Sequence, residues 1–403
     1  MKKILFIIFI LLTPIYANAL EYPNLNSRVV EIYDITDNKV LYEINSTKVS
    51  SIASLTKIAT TITAIENISN LDEKVTITRD ILNTVSWDAS KAGLKVNDVV
   101  TYRDLLYASI LPSGADATNS IAILNSGSIS DYVKKMNELV KKIGLNNTHF
   151  VNVTGLDEEN HYSTADDIRK LLQYSLKNPL FKEIYTTREY KLTNGLKVIS
   201  SISLYNKNNI DTSKILGSKT GFTGNAGYCF SSLSNINNHE FITIVLNAKQ
   251  KGDNLNDTVK ILNFISDNYS EEILVKKGTI IKELPVTLSK INSYKIKTTS
   301  NIVKFLPKDY NKEKLSIEYK GLEKLNYKNK KGQKIGTIKY YYDKELFQTE
   351  NVVLNRNIDL SIKKIIIKYY YIITIFALII VIAITKLFLN KKNNKNKKKF
   401  MGK

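Results

Sequence analysis

Ser54 and Lys57 stand three residues apart in Ile52-Ala53-Ser54-Leu55-Thr56-Lys57-Ile58-Ala59-Thr60. At the start of a helix this spacing brings a hydroxyl and an amine to one face within mutual reach, the geometry of a nucleophile and its base. An alkyl hydroxyl needs a proton acceptor before it can attack a carbonyl, and a free lysine of pKa about 10.4 is neutral only about once in 10³ molecules at pH 7. Burial, the positive end of the helix and a second cation would each lower that pKa. A candidate second cation occurs in Gly217-Ser218-Lys219-Thr220-Gly221-Phe222-Thr223-Gly224-Asn225-Ala226-Gly227. There Lys219 can hold the proton network and favour an anionic substrate, Thr220 can hydrogen-bond a terminal carboxylate, and Gly221 lets substrate backbone approach. Backbone N–H groups of Ser54 and Phe222 would supply an oxyanion hole. The serine–lysine spacing is cheap by itself, since Ser361-Ile362-Lys363-Lys364 repeats it with no partner motif. The pair of motifs carries the reading, against the bland alternative of a chance Lys-Thr-Gly in a hairpin.

The elements that must position these groups follow from periodicity and turn residues. Arg28 to Tyr33 and Lys39 to Glu43 read as two strands of a hairpin turning at Asp37-Asn38. A helix runs from about Ser54 through Ile68, followed by helical stretches at Tyr102 to Ser109, Ala115 to Leu124 and Ser130 to Ile143. Strands return at Ser218 to Leu233 and Phe241 to Leu246 around an asparagine-rich turn. Strands at both ends with helices between predict an α/β (α+β) fold, one antiparallel sheet covered by helices. Beyond residue 268 the composition shifts to short β-branched and tyrosine-rich runs, with candidate strands at Thr279 to Lys282, Ser293 to Thr298, Leu315 to Tyr319 and Gly336 to Tyr342. That stretch predicts a small all-β domain.

Both ends of the chain point to a membrane. Lys2 and Lys3 precede an apolar run from Ile4 to Leu12, and Ala17-Asn18-Ala19 offers a cleavage site, so residues 1–19 read as a signal peptide. A second apolar run within residues 366–389 is long enough to span a bilayer, with Lys386 able to snorkel and Tyr369 to Tyr371 suited to the headgroup belt. The lysine-rich tail, residues 390–403, then belongs in the cytoplasm and the body outside. The formal charge of +20 reduces to about +7 for the exported body, because two lysines precede residue 20 and eleven follow Ile362 without an acid. No basic stripe with interleaved aromatics supports nucleic-acid binding. Cys229 is the sole cysteine, so no internal disulfide is possible, and His149, His161 and His239 lack metal-ligand spacing, so neither a metal nor another cofactor is expected.

The Ser-x-x-Lys and Lys-Thr-Gly pairing is shared by penicillin-binding proteins and class A β-lactamases. Residues 28 to 265 resemble more specifically the D-alanyl-D-alanine carboxypeptidases, the low-molecular-weight penicillin-binding proteins of serine peptidase family S11. The resemblance rests on the Ser54 and Lys219 segments, on Asp104-Leu105-Leu106-Tyr107-Ala108 running into Leu111-Pro112-Ser113-Gly114-Ala115-Asp116-Ala117, on Gly155-Leu156 with His161-Tyr162-Ser163-Thr164-Ala165-Asp166-Asp167, and on Ala226-Gly227-Tyr228. It implies that Ser54, Lys57 and Ser113 are catalytic, with Ser113 relaying a proton to the leaving amine, and that Lys219, Thr220, Gly221 and Phe222 bind substrate. The implied partners are peptidoglycan stem peptides ending in D-Ala-D-Ala, with β-lactam antibiotics as covalent inhibitors. It implies residues 20–268 as the catalytic domain and residues 269–362 as the family's β-rich C-terminal module.

The middle motif departs from the family's usual Ser-Gly-Asn, because Ala115 replaces the asparagine and its carboxamide is missing. Lys249 and Lys251 are the nearby basic candidates for the substrate carboxylate. His161 falls in the loop beside the site, Tyr228 and Cys229 suit packing, and Trp87 fits either core or cleft. Two rivals remain open at this point: a β-lactamase-like hydrolase, for which no deacylating glutamate can be assigned, and a weakly active or non-enzymatic peptidoglycan-binding scaffold, motivated by Ala115.

Overall fold

The computed structural model describes residues 21–205 and 210–400 and divides into two compact units, one ending at Ser270 and the other beginning at Glu271. The signal peptide expected at residues 1–19 lies outside the described residues.

In the first unit the two ends of the segment build one sheet. Its five strands run in the order Lys39–Ile44, Val29–Asp34, His239–Ala248, Gly227–Ile236, Ile215–Thr223, and every neighbouring pair is antiparallel. Val29 lies opposite Leu246 and Asp34 opposite Phe241, so the N-terminal hairpin docks on the last strand. The hairpin turns through Asn38 at φ +54°, a conformation asparagine tolerates. Asp34 clasps that turn, its Oδ1 accepting from the N–H groups of Thr36 and Asp37 and its Oδ2 lying 3.0 Å from His239 Nδ1. The strand Ile215–Thr223 is the sheet's outer edge, so it can offer backbone groups to a further extended chain.

A short 3₁₀ turn, Ala53–Leu55, leads into the helix Thr56–Asn67, in which every residue from Thr56 to Ala64 is buried. Buried on all sides, it is the central helix of the unit. Thr60 ties it to its surroundings, its Oγ1 donating to the Val153 carbonyl at 2.8 Å and its carbonyl accepting from the Tyr132 hydroxyl at 2.7 Å, whereas the Thr61 and Thr63 hydroxyls are buried with no partner among the described residues. The helices Tyr102–Ile110, Ala115–Ser126, Ile129–Lys142 and Ala165–Ser175 surround it. Thr101 and Asp104 close a reciprocal capping box on the first of these, Ser128 and Thr164 cap the last two, and Gly127 at φ +77° ends the second. Ile58, Ile62, Leu105, Leu106, Ile121, Tyr132 and Phe150 lie in the shared core.

The second unit is β-rich. The strands Ser293–Lys297, Ile280–Thr287 and Leu325–Asn326 form one three-stranded sheet, and Leu315–Gly321, Lys334–Tyr342 and Glu345–Val353 form another. Leu284, Ile296, Leu325, Ile338 and Tyr340 meet in its core. A helix, Ile362–Phe400, follows, with a non-helical kink at Tyr369. Its segment Ile362–Lys392 has a mean hydropathy of 2.8 over its most apolar window, none of it buried, and is long and apolar enough to cross a membrane.

Candidate active site

The two sequence motifs meet where the 3₁₀ turn packs on the sheet edge. Ser54 lies within that turn and Lys57 one turn later in the helix, and Lys57 Nζ stands 2.9 Å from Ser54 Oγ and 2.8 Å from the Thr154 carbonyl. Lys57 is 2% exposed, and burial lowers its pKa from the free value to about 7, against the opposing pull of Asp116. As an ammonium Lys57 donates to Ser54. As a neutral amine it still donates to Thr154 while its lone pair takes the Ser54 proton.

Lys219 is fully buried in the edge strand, and its Nζ donates to the Thr220 carbonyl at 2.7 Å. Burial first, and repulsion from Lys57 second, hold its pKa well below the ordinary lysine value. Both cations therefore sit where the charged form is disfavoured. Thr220 pairs with Ser201, the two hydroxyl oxygens 2.6 Å apart. Gly221 faces the nucleophile turn directly: a Cβ there would come within 2.9 Å of Ser54 N and 3.0 Å of the Ala53 Cβ. Sequence reasoning assigned that glycine to substrate approach, whereas the structure gives it a second task, the close seating of the serine turn against the strand. Phe222 is 55% exposed near the end of the strand and stacks on Tyr228 at 4.3 Å between ring centroids.

Ser113 occupies the turn between the helices Tyr102–Ile110 and Ala115–Ser126 at φ +64°, a strained value for a residue with a Cβ. Its hydroxyl is buried and has no hydrogen-bond partner among the described residues. Asp116 beside it binds the N–H groups of Ala92, Gly93 and Leu94 at 2.8, 2.9 and 3.0 Å, tying the preceding loop to the helix start. Ala115 lines a cavity of about 140 Å³ together with Thr84, Ser86, Asn119, Thr154 and Glu158. The missing carboxamide thus leaves space beside the loop that holds Lys57.

That loop escaped sequence reasoning. Asn152 Oδ1 accepts from the N–H groups of Thr154 and Gly155 at 3.2 and 2.8 Å, shaping the turn that presents the Thr154 carbonyl to Lys57. Asp157 ties the same loop to the end of the Lys219 strand, accepting from Thr223 Oγ1 at 2.7 Å and Asn225 N–H at 3.0 Å. Gly155-Leu156 was the only local signal, because a backbone carbonyl leaves no mark on residue type. Lys249 and Lys251 are exposed after the strand His239–Ala248, and Trp87 is 89% exposed, which removes its core placement. Cys229 is buried, and burial pushes its thiol up to about 12, away from reactivity.

A family model described as D-alanyl-D-alanine carboxypeptidase, peptidase S11, matches residues 17–250, more than half of the chain. The chain belongs to the D-alanyl-D-alanine carboxypeptidase family. A second model, penicillin-binding protein 5 C-terminal domain, matches residues 269–360. D-alanyl-D-alanine carboxypeptidase DacF of Bacillus subtilis (strain 168) is 30% identical over 333 residues, 79% of this chain and 82% of that protein. D-alanyl-D-alanine endopeptidase of Escherichia coli (strain K12) is 31% identical over 62% of this chain and 80% of its own length. The crystal structure of penicillin-binding protein 5 from Haemophilus influenzae superposes with a TM-score of 0.62 at 26% identity, covering 84% of this chain and 99% of that one. Carboxypeptidase family membership makes the chain a serine peptidase of the penicillin-binding class, so the enzyme reading stands ahead of the scaffold reading.

Proposed function

We propose that this D-alanyl-D-alanine carboxypeptidase works through Ser54, with Lys57 as its base and Ser113, Lys219, Thr220, Gly221 and Phe222 completing the site. Ser54 Oγ attacks the carbonyl carbon of the penultimate D-alanine of a peptidoglycan stem peptide while Lys57 takes its proton. The oxyanion lies between the N–H groups of Ser54 and Phe222, and the peptide C–N bond breaks as the leaving amine receives a proton through Ser113. D-Alanine departs, and water then cleaves the Ser54 ester to free the shortened peptide. A β-lactam offers the same carbonyl, and its ring opening yields the same ester without a departing amine fragment. The observation that carries this reading is the 2.9 Å contact of Ser54 Oγ with an amine whose burial lowers its pKa to about 7.

We assign residues 1–19 as a signal peptide, 20–268 as the catalytic domain, 269–362 as a β-rich stalk, 366–389 as the membrane span and 390–403 as a cytoplasmic tail. The lysines of the tail and the apolar helix before it support an anchor that leaves the catalytic domain on the outer face, toward the wall. The test is D-alanine release from diacyl-L-Lys-D-Ala-D-Ala by the full chain in detergent. Wild type should release D-alanine and Ser54→Ala none, while a silent wild type would rule the carboxypeptidase activity out.

A further inference from the structure

Ala53 has φ +48°, although it carries a Cβ. That conformation is unfavourable for an L-residue and persists only where its surroundings hold it. Here the holding groups converge on its carbonyl oxygen. Thr56 donates to that oxygen from its backbone N–H and from its hydroxyl, the latter at 2.9 Å. Gly155, at φ +87°, presses so close that a Cβ would fall 1.9 Å from the same oxygen.

The Thr56 hydroxyl has a second neighbour. His161 Nε2 stands 2.8 Å from Thr56 Oγ1, and His161 Nδ1 stands 3.2 Å from the Val151 N–H. A backbone N–H can only donate, so Nδ1 accepts and the ring proton resides on Nε2. The direction of every bond in the chain follows: His161 Nε2–H donates to Thr56 Oγ1, and Thr56 O–H donates to the Ala53 carbonyl. The ring is 5% exposed, and burial depresses its pKa to about 4, so it is neutral when the enzyme works near pH 7.

The Ala53 carbonyl and the Ser54 N–H belong to one planar trans peptide and point in opposite directions. Whatever fixes the carbonyl therefore fixes the direction of the N–H, and Gly221 leaves the room at Ser54 N that a Cβ, at 2.9 Å, would take. We propose that His161 is a positioning residue which, through Thr56, aims the Ser54 N–H as an oxyanion-hole donor. The proposal rests on the acyl-enzyme reading above and adds to it a residue that touches neither substrate nor nucleophile. Successive hydrogen bonds along such a chain polarise one another, so the neutral ring also strengthens the Ser54 donor.

An oxyanion contact tightens in the transition state, so its loss lowers kcat more than it raises KM. Thr56→Val keeps the shape and removes the hydroxyl; it should lower kcat for D-alanine release about 10- to 100-fold with KM within about twofold. Thr56→Ser restores the hydroxyl and should stay within about threefold of wild type. His161→Gln, whose amide N–H can reach Thr56, should keep most of the rate, whereas His161→Phe should fall as Thr56→Val does. Melting temperatures of the full chain check that the variants fold. Thr56→Val at the wild-type kcat, or Thr56→Ser as slow as Thr56→Val, would overturn the positioning role. A wild type that is silent on the peptide but acylated by penicillin would sink the carboxypeptidase reading, and acylation rates across the same series would then decide the positioning role independently.

Discussion

Lys57 exchanges its solvent shell for the Thr154 carbonyl, the Ser54 hydroxyl and the packed interior of its helix, and with that exchange its proton becomes easy to lose. Burial lowers the folded pKa to about 7, so the neutral base predominates above that pH and is titrated away as pH falls below it. The rate of Ser54 acylation by penicillin should therefore plateau above pH 7 and drop about tenfold per unit below pH 6. A profile flat from pH 5 to 8 would remove Lys57 as the base. Gly221→Ala places a methyl 2.9 Å from Ser54 N and should slow acylation by at least about tenfold while leaving the sheet intact. Ala115→Asn fills part of the cavity lined by Thr84, Asn119 and Glu158 and restores the amide of the family's usual motif. It should raise kcat/KM for the diacyl tripeptide; an unchanged value would show that Ala115 does not limit this enzyme. Of these groups, Ser54, Lys57 and the Lys219 triad were legible in residue type and spacing. Thr154 and Ala53 were not, because they contribute carbonyl oxygens and backbone angles that any residue type could supply.

At the scale of elements, the site depends on a sheet closed by strands from distant parts of the chain. Alternation and the Asp37-Asn38 turn exposed the first hairpin, and the helices with apolar faces and hydroxyl caps read through. The helices Ala165–Ser175, Pro179–Thr186 and Asp253–Asn268 had no individual assignment, although the first two carry buried apolar stripes, Ile168 with Leu171 and Leu172 and Phe181 with Ile184 and Tyr185. The strand Glu345–Val353 was likewise missed: its glutamates and asparagine carry little strand signal, and pairing with Lys334–Tyr342 determines its conformation. One ion pair joins the helix Ala165–Ser175 to the strand Val29–Asp34 of the catalytic sheet. Arg169 Nε lies 3.0 Å from Glu31 Oε1 and its guanidinium also bonds Asp166. Burial raises Glu31 to about 7 despite the arginine, so the folded state binds a proton that the unfolded chain releases near pH 4.5. That contribution is fully present below the unfolded pKa and is lost as pH rises through the folded one. Arg169→Met removes the opposing charge. It should destabilise by about 1–3 kcal/mol in urea unfolding, with a larger deficit at pH 8 than at pH 5. An equal deficit at both pH values would contradict the role given to Glu31.

For the whole molecule, the family's two modules are followed by one helix long and apolar enough to cross a membrane, which fits the anchor proposed above. Truncation after Ile362 should move the protein from the membrane fraction to the soluble fraction with D-alanine release unchanged, and membrane retention of the truncated chain would deny the helix its anchoring role. The shift in composition beyond residue 268 lies beside the division between the two compact units at Ser270 and Glu271, whereas the kink at Tyr369 leaves no such mark, since tyrosine does not signal a helix break. The most direct test of the account is the mass of the full chain after exposure to benzylpenicillin. The account predicts one penicilloyl adduct per chain, located on the peptide carrying Ser54, absent in Ser54→Ala and accompanied by loss of D-alanine release. An adduct on any other residue, or none on a wild type that still releases D-alanine, would contradict it.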